Sequence, residues 1–233
     1  MGKKRISRSR KRDLEQPDEF ITFWTKLFNF ASENKVLLSG ILGFFIVLIV
    51  VVSGSAYYLK TSEDRSFALL QYAINTYQTA LGSNGPYKAY LEVDKEFQSI
   101  LEKYPRRKGG KLARLIYANI CYNADNYDKA IDLYLSSLAD FQNEPYLKNI
   151  VLNSLGYAYK GKKDYQTAAT FFEKVVAEAN ATLKDDALFH LGDLYAKMGY
   201  HDKSVEAFRK ILSNHTDSMY IEIAKEKVKG YDL

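Results

Sequence analysis

Residues 155–172 read LGYAYKGKKDYQTAATFF. Leu155, Gly156 and Tyr159 fall on helical spacing, and Ala168 and Phe172 resume it after a short polar break. The small residues carry the reading. Gly156 in the first helix faces Ala168 in the second, and without bulk between them the two helices approach closely. The ring of Phe172 then fills the gap to the next helix pair. A pair built this way keeps one face apolar, so such units must stack to bury it.

The same arrangement recurs on both sides. Asn126-Tyr127-Asp128-Lys129-Ala130 is echoed by Asp164-Tyr165-Gln166-Thr167-Ala168 and by Tyr200-His201-Asp202-Lys203-Ser204. The equivalent small residues Ala130, Ala168 and Ser204 lie 38 and 36 residues apart. Ala118, Gly156 and Gly192 stand 12 residues upstream, and Tyr134, Phe172 and Phe208 stand four downstream. A fixed period of this size marks a repeat architecture. Earlier in the chain, stripes at Phe67-Leu70-Ile74-Tyr77-Leu81 and Tyr90-Val93-Phe97-Ile100-Tyr104 predict two more helices. They are stopped by Gly82–Pro86 and by Pro105. Alternating apolar and polar residues, the mark of a strand, are absent.

These units resemble the tetratricopeptide repeat, a helix-turn-helix of about 34 residues. Leu155-Gly156-x-x-Tyr159 with Ala168 and Phe172 matches its pattern, as does Leu191-Gly192-x-x-Tyr195 with Ser204 and Phe208. The unit from Lys111 departs from it, with Ala118 for Gly and Cys121 for Tyr, and Phe97–Pro105 resembles the second half of a divergent repeat. In the family, the first helices of the pairs line a concave groove. That register implies groove positions at Leu115, Asn119 and Tyr122, then Asn153, Tyr157 and Lys160, then Phe189, Asp193 and Ala196. Aromatic and amide side chains there suit a peptide partner. Leu115 stands where relatives that bind acidic chaperone tails have a lysine, so that ligand is not expected.

Ahead of the repeats runs VLLSGILGFFIVLIVVVSGSAYYL, residues 36–59, 24 residues without a charge between Lys35 and Lys60. About 20 apolar residues in a helix cross a bilayer core of about 30 Å. Residues 1–12 carry Lys3, Lys4, Arg5, Arg8, Arg10, Lys11 and Arg12 and no acid, which predicts a cytoplasmic N-terminus. The expected order is a basic tail at 1–19, an amphipathic juxtamembrane helix at 20–35, a transmembrane helix at 36–59 and an extracytoplasmic domain at 60–233. The juxtamembrane helix has an alternative, a cytoplasmic extension of the span. A signal peptide cleaved at Gly54-Ser55-Ala56 is the rival to the anchor. The span nevertheless exceeds the usual apolar region of about 7–15 residues, and 35 residues precede it. The fold class is therefore all-α, a single N-terminal transmembrane helix followed by a tetratricopeptide-repeat-like solenoid.

Charge and cysteine content narrow the function. The net charge of +5 belongs to residues 1–60, which hold 10 basic and 5 acidic side chains; residues 61–233 hold 23 of each. The repeats therefore offer no electrostatic footprint for nucleic acid, and the tail suits anionic lipid. Cys121 is the only cysteine, so no intrachain disulfide exists; it reads as a core residue, with an intermolecular bridge as the alternative. His190, His201 and His215 lack metal-ligand spacing and read as surface or groove residues. Lys108-Gly109-Gly110-Lys111 lacks the spacing of a phosphate loop, and with Arg106 and Arg107 it reads as a solvated basic linker. Asn180-Ala181-Thr182 and Asn214-His215-Thr216 fit the glycosylation acceptor pattern. Neither a catalytic constellation nor a cofactor motif is present, so the expected class is non-enzymatic.

The layout as a whole, from the run ending Ala31-Ser32-Glu33-Asn34-Lys35 to the final helix ending Lys227-Val228-Lys229-Gly230, resembles the YfgM-like family. Its members are ancillary subunits of the bacterial SecYEG translocon. That resemblance implies an inner-membrane protein with a periplasmic domain, associated with the translocon and a membrane-anchored periplasmic chaperone. An envelope-assembly scaffold and a signalling regulator acting through the tail are the alternatives. The topology is testable with protease added to spheroplasts: the domain at 60–233 should be digested and the tail protected. A protected domain, or a mature N-terminus near Tyr57, would contradict it.

Overall fold

In a computed structural model, residues 19–178 and 182–229 are described. The tail at 1–18 and the acceptor site at Asn180 lie outside them. Among the described residues all regular structure is helical: α1 (Glu19–Glu33), α2 (Lys35–Asn84), α3 (Pro86–Lys103), α4 (Lys108–Asn123), α5 (Tyr127–Asp140), α6 (Pro145–Gly161), α7 (Tyr165–Ala177), α8 (Lys184–Lys197), α9 (His201–Asn214) and α10 (Ile221–Lys229). The chain divides into two compact units, 1–60 and 61–233.

In the first unit, α1 ends at Glu33 and the apolar run begins α2 at Lys35, with Asn34 between them. The Asn34 side-chain amide donates to the Phe30 carbonyl at 2.9 Å. Among the described residues, α2 is the one helix long and apolar enough to cross a membrane. It does not stop at Leu59. Its helical assignment continues to Asn84, because neither glycine nor proline interrupts residues 60–81.

In the second unit, the part of α2 beyond Thr61 contributes Ser66, Leu70, Ala73 and Ala80 to the buried residues. Leu70 and Ala73 share a core with Tyr90, Val93, Phe97 and Ile100 of α3. The loop expected at Gly82–Pro86 shrinks to Gly85 at φ 78°: Gly82–Asn84 end α2, and Pro86 opens α3. The repeats follow as α4/α5, α6/α7 and α8/α9, and α10 packs on α9.

Each first helix ends in the same way. Asp125, Lys163 and Gly199 take positive φ at 58°, 65° and 80°, spaced as the repeats are. The next residue's amide bonds back to the last turn: Asn126 to the Cys121 carbonyl at 2.9 Å, Asp164 to Tyr159 at 3.0 Å, Tyr200 to Tyr195 at 2.8 Å. A left-handed residue followed by this bond is a Schellman motif, and it satisfies carbonyls the helix end would otherwise orphan. The side chains of Asn126 and Asp164 then accept from the amides of Lys129 and Thr167 to start the second helix.

The two glycines of the motif lie under aromatic rings. A Cβ on Gly156 would stand 2.7 Å from the Phe172 ring, and one on Gly192 would stand 2.5 Å from Phe208. The ring of the second helix therefore lies across the glycine of its own pair, and Phe172 also reaches the next. Phe172 stacks on His190 of α8 with centroids 5.4 Å apart, whereas Phe208 meets Phe189 within its own pair at 6.1 Å. Ser204 makes the small-residue contact directly, its hydroxyl donating to the Gly192 carbonyl at 2.7 Å. In the first repeat Ala118 and Tyr134 occupy these places, both buried.

Lys108–Lys111 is not a solvated linker. Lys108 begins α4, Gly109 and Gly110 are buried, and a Cβ on Gly109 would strike Ser66 of α2. The Gly109 amide donates to the Glu63 carboxylate at 3.2 Å, so an acid from α2 caps the positive end of α4. Cys121 is fully buried in the core, as expected, and burial pushes its thiol up to about 12, so it offers no exposed thiolate for an intermolecular bridge.

Replacing Gly156 by leucine drives a side chain into the Phe172 ring and should destabilise the unit by about 1–3 kcal/mol. Thermal melting of the purified protein measures it, and an unchanged melting temperature would mean that the glycine is not at a close contact.

Candidate partner-binding face

The first helices α4, α6 and α8 present one face to each other, and hydrogen bonds run along it. Asp186 opens the face of α8; His190 and Asp193 follow at i+4 and i+7, one stripe of a helix. The Asp186 carboxylate accepts from three donors: Asn153 Nδ2 and the Tyr157 hydroxyl of α6, both at 2.9 Å, and the Tyr220 hydroxyl at 2.6 Å. Tyr220 precedes α10, and its ring stacks on Phe189 with centroids 4.3 Å apart. Ser218, in the same turn, donates to Asp185 at 2.7 Å. One carboxylate thus ties α6, α8 and the turn into α10 together.

His190 extends the chain of bonds. Its Nδ1 lies 3.0 Å from Lys160 Nζ, and its Nε2 lies 2.7 Å from the Tyr157 hydroxyl. A lysine ammonium can only donate, so Nδ1 accepts and Nε2 carries the proton. The order Lys160–His190–Tyr157–Asp186 then runs donor to acceptor throughout. Lys160 also pairs with Asp193 at 3.4 Å, and Lys197 reaches the same carboxylate at 3.3 Å.

The electrostatics follow from burial and these neighbours. The His190 side chain is 12% exposed. Burial, and then the Lys160 ammonium, lower its pKa to about 4 against the opposing pull of Asp186. Burial and Asp186 raise the Tyr157 hydroxyl well above its usual range. Burial works to raise Asp193, but Lys160 and Lys197 outweigh it and hold the carboxyl below its ordinary value.

Several of the expected groove residues meet. Tyr122 reaches Tyr157 at 6.5 Å between centroids, Tyr157 reaches His190, and Lys160 reaches Asp193. Asn119 and Ala196 are exposed at either end of this line, and Asn119 accepts from the Tyr134 hydroxyl at 2.6 Å. Two expectations need correction. Leu115 is 6% exposed and Asn153 is 7% exposed. Leu115 packs in the core because the divergent first repeat has an apolar residue at that position; Asn153 is spent on Asp186. Phe189 is half-buried under Tyr220. His190 proves an interior member of the network, whereas His201 is exposed. Asp186 and Tyr220 are the residues that sequence reasoning missed. Helical spacing back from Asp193 would have found Asp186; Tyr220 lies outside any repeat unit and had no such signal.

Among the described residues, no group of three or more His, Cys, Asp or Glu is placed to hold a metal ion. A family model described as tetratricopeptide repeat-like domain matches residues 32–229. No curated protein matches the sequence. Among solved structures, a tetratricopeptide repeat protein from Parabacteroides merdae superposes with a TM-score of 0.55 at 14% identity, covering 71% of this chain and 62% of that one. This chain thus spans less than two-thirds of that protein's length. The MamA protein superposes with a TM-score of 0.50 at 19% identity, covering 70% of this chain and 83% of that one. Both likenesses concern the fold.

The His190 environment predicts how stability depends on pH. The unfolded chain takes up a proton on this imidazole near pH 6.5, the folded chain only near pH 4. Stability is therefore complete above that window and falls as pH drops through it, by at most about 3 kcal/mol. Melting the protein from neutral to acidic pH should show the loss, and His190→Gln should reduce the slope between about pH 6 and pH 5. An equal slope in both proteins would contradict the assignment.

Proposed function

This chain belongs to the tetratricopeptide repeat-like domain family, and on that premise we propose that it is a membrane-anchored, non-enzymatic module that holds protein partners on the face of α4, α6 and α8. The fold suggests protein partners in general, and the family is one of interaction scaffolds with no enzymatic relative indicated. The observation that carries the reading is the continuous line from Asn119 through Tyr122, Tyr157 and Lys160 to Asp193 and Ala196. Hydrogen bonds and an ion pair tie α6 to α8 along it, and the Tyr122–Tyr157 ring contact joins α4 to α6. Its aromatic rings, cations and carboxylates offer the mixed contacts that anchor a bound chain segment.

The N-terminal part supplies the location. The uncharged run of α2 serves as the single-pass anchor, and the basic tail sets the N-terminus in the cytoplasm. The repeats at 60–233 then work in the periplasm of a bacterial inner membrane. The order of tail, short helix, span and repeats supports an ancillary role at the protein-export translocon, beside a membrane-anchored periplasmic chaperone.

The test leaves the internal network intact. Asn119→Asp, whose carboxylate still accepts from the Tyr134 hydroxyl, with Ala196→Arg adds charge at the two exposed ends of the face. The full chain, solubilised in mild detergent after crosslinking in cells, should retain translocon or chaperone subunits, and the double variant should lose them while melting as before. A loss of about 2 kcal/mol at the interface would weaken binding roughly thirtyfold. Partners retained by the folded variant would move the interface elsewhere, and other proteins recovered in place of translocon subunits would overturn the assigned setting.

A further inference from the structure

The helix α1 belongs to the first unit, and its side chains form two stripes. Ile21, Trp24, Leu27, Phe28 and Ala31 line one shallow apolar depression along it. Trp24 is 52% exposed and Phe28 74% exposed. Thr22, Lys26, Asn29 and Glu33 recur on a second stripe. A helix with an apolar stripe rich in Trp, Phe and Leu beside a polar one is the pattern of a helix lying in a membrane interface.

The surrounding charges identify the surface. Seven cations and no acid occupy residues 1–12. In sequence the acids Asp13, Glu15, Asp18 and Glu19 all follow these cations, so the charge of residues 1–12 is not offset within that stretch. Only Asn34 separates α1 from the uncharged helix. With the span beginning beyond Lys35, that residue marks the bilayer edge, and the Glu33 end of α1 lies at headgroup level.

We propose that α1 lies on the bilayer with its apolar stripe among the acyl chains, and that residues 3–12 hold it there by contact with anionic lipid headgroups. The proposal rests on the anchor assigned above. An apolar stripe attached at the bilayer edge finds its nearest dry environment in the interface, and a cationic segment finds its complement in the negative surface of the cytoplasmic leaflet. The amphipathic stripe thus seats the helix and the tail selects the lipid, the two signals that stable peripheral attachment requires.

Trp24 is the only tryptophan in the chain, so its fluorescence reports on α1 alone. The full chain is reconstituted into vesicles of phosphatidylcholine with or without phosphatidylglycerol, and flotation first establishes that it is embedded. In the anionic vesicles Trp24 should be shielded from aqueous acrylamide and quenched by lipids brominated on the acyl chains. High salt, or replacement of the seven basic residues by glutamine, should restore acrylamide access. Phe28→Glu should unseat the helix even with the tail intact. An embedded chain whose Trp24 stays open to acrylamide in anionic vesicles would overturn the proposal and leave a protein as the partner of α1. Equal shielding in both lipids, unchanged by salt, would overturn the role of the tail. A chain that fails to float would overturn the anchor itself, and this proposal with it.

Discussion

Where Gly156 and Gly192 turn their missing side chains toward the second helix of the pair, a phenylalanine ring occupies the space that a Cβ would need. Much else follows from this contact. With the ring across the glycine, the two helices of a pair pack closely, and in the middle repeat the far edge of the ring meets the next pair. Phe172 uses that edge against His190 of α8, whereas Phe208 meets Phe189 of its own pair. Phe172 therefore sets both the spacing within its pair and the spacing to the next. Interiors packed at this density transmit a change of one side chain to their neighbours, so the position of α8 relative to α6 depends on a residue of α7.

The polar chain along α6 and α8 is built on that spacing. Asp186 reaches Asn153 and Tyr157 only because the aromatic packing beneath holds the two helices at hydrogen-bonding distance. A buried carboxylate without donors would be costly, and with three it rigidifies the site. Tyr220 completes the set from the turn before α10, so the last helix does more than cover the apolar end of the stack. It supplies a donor to the network that fixes the face. The first repeat lacks an equivalent: Leu115 is apolar where α6 has Asn153, and the face there is carried by Asn119 and Tyr122.

The repeat itself was legible in the sequence because its cause is local. Small residues and aromatics at fixed offsets specify a helix pair, and Gly85 ahead of Pro86, and Pro105, mark the breaks between helices. Three features were not legible. The continuation of α2 past Leu59 was hidden by an abrupt change of composition at Lys60, although nothing in residues 60–81 breaks a helix. Gly109 and Gly110 resembled a loop, because a glycine gives no sign of the helix it lies against until Ser66 is placed. The Asp186 network depends on side chains from three separate segments, and such convergence is a tertiary property. The burial of Leu115 and Asn153 has the same origin: a register inherited from a family states which way a position points, not how closely its neighbour approaches.

The proposed partner face runs along α4, α6 and α8, with Asn119 and Ala196 as its exposed ends. The central claim is that partners meet the chain on that face. Photocrosslinking amino acids placed in living cells at Asn119 and Ala196, and for comparison at Ser136 and Thr170, exposed positions on the second helices, test it most directly. The account predicts discrete adducts with extracytoplasmic proteins from the first pair of positions and none from the second. Adducts arising equally from both pairs, or from Ser136 and Thr170 alone, would contradict it.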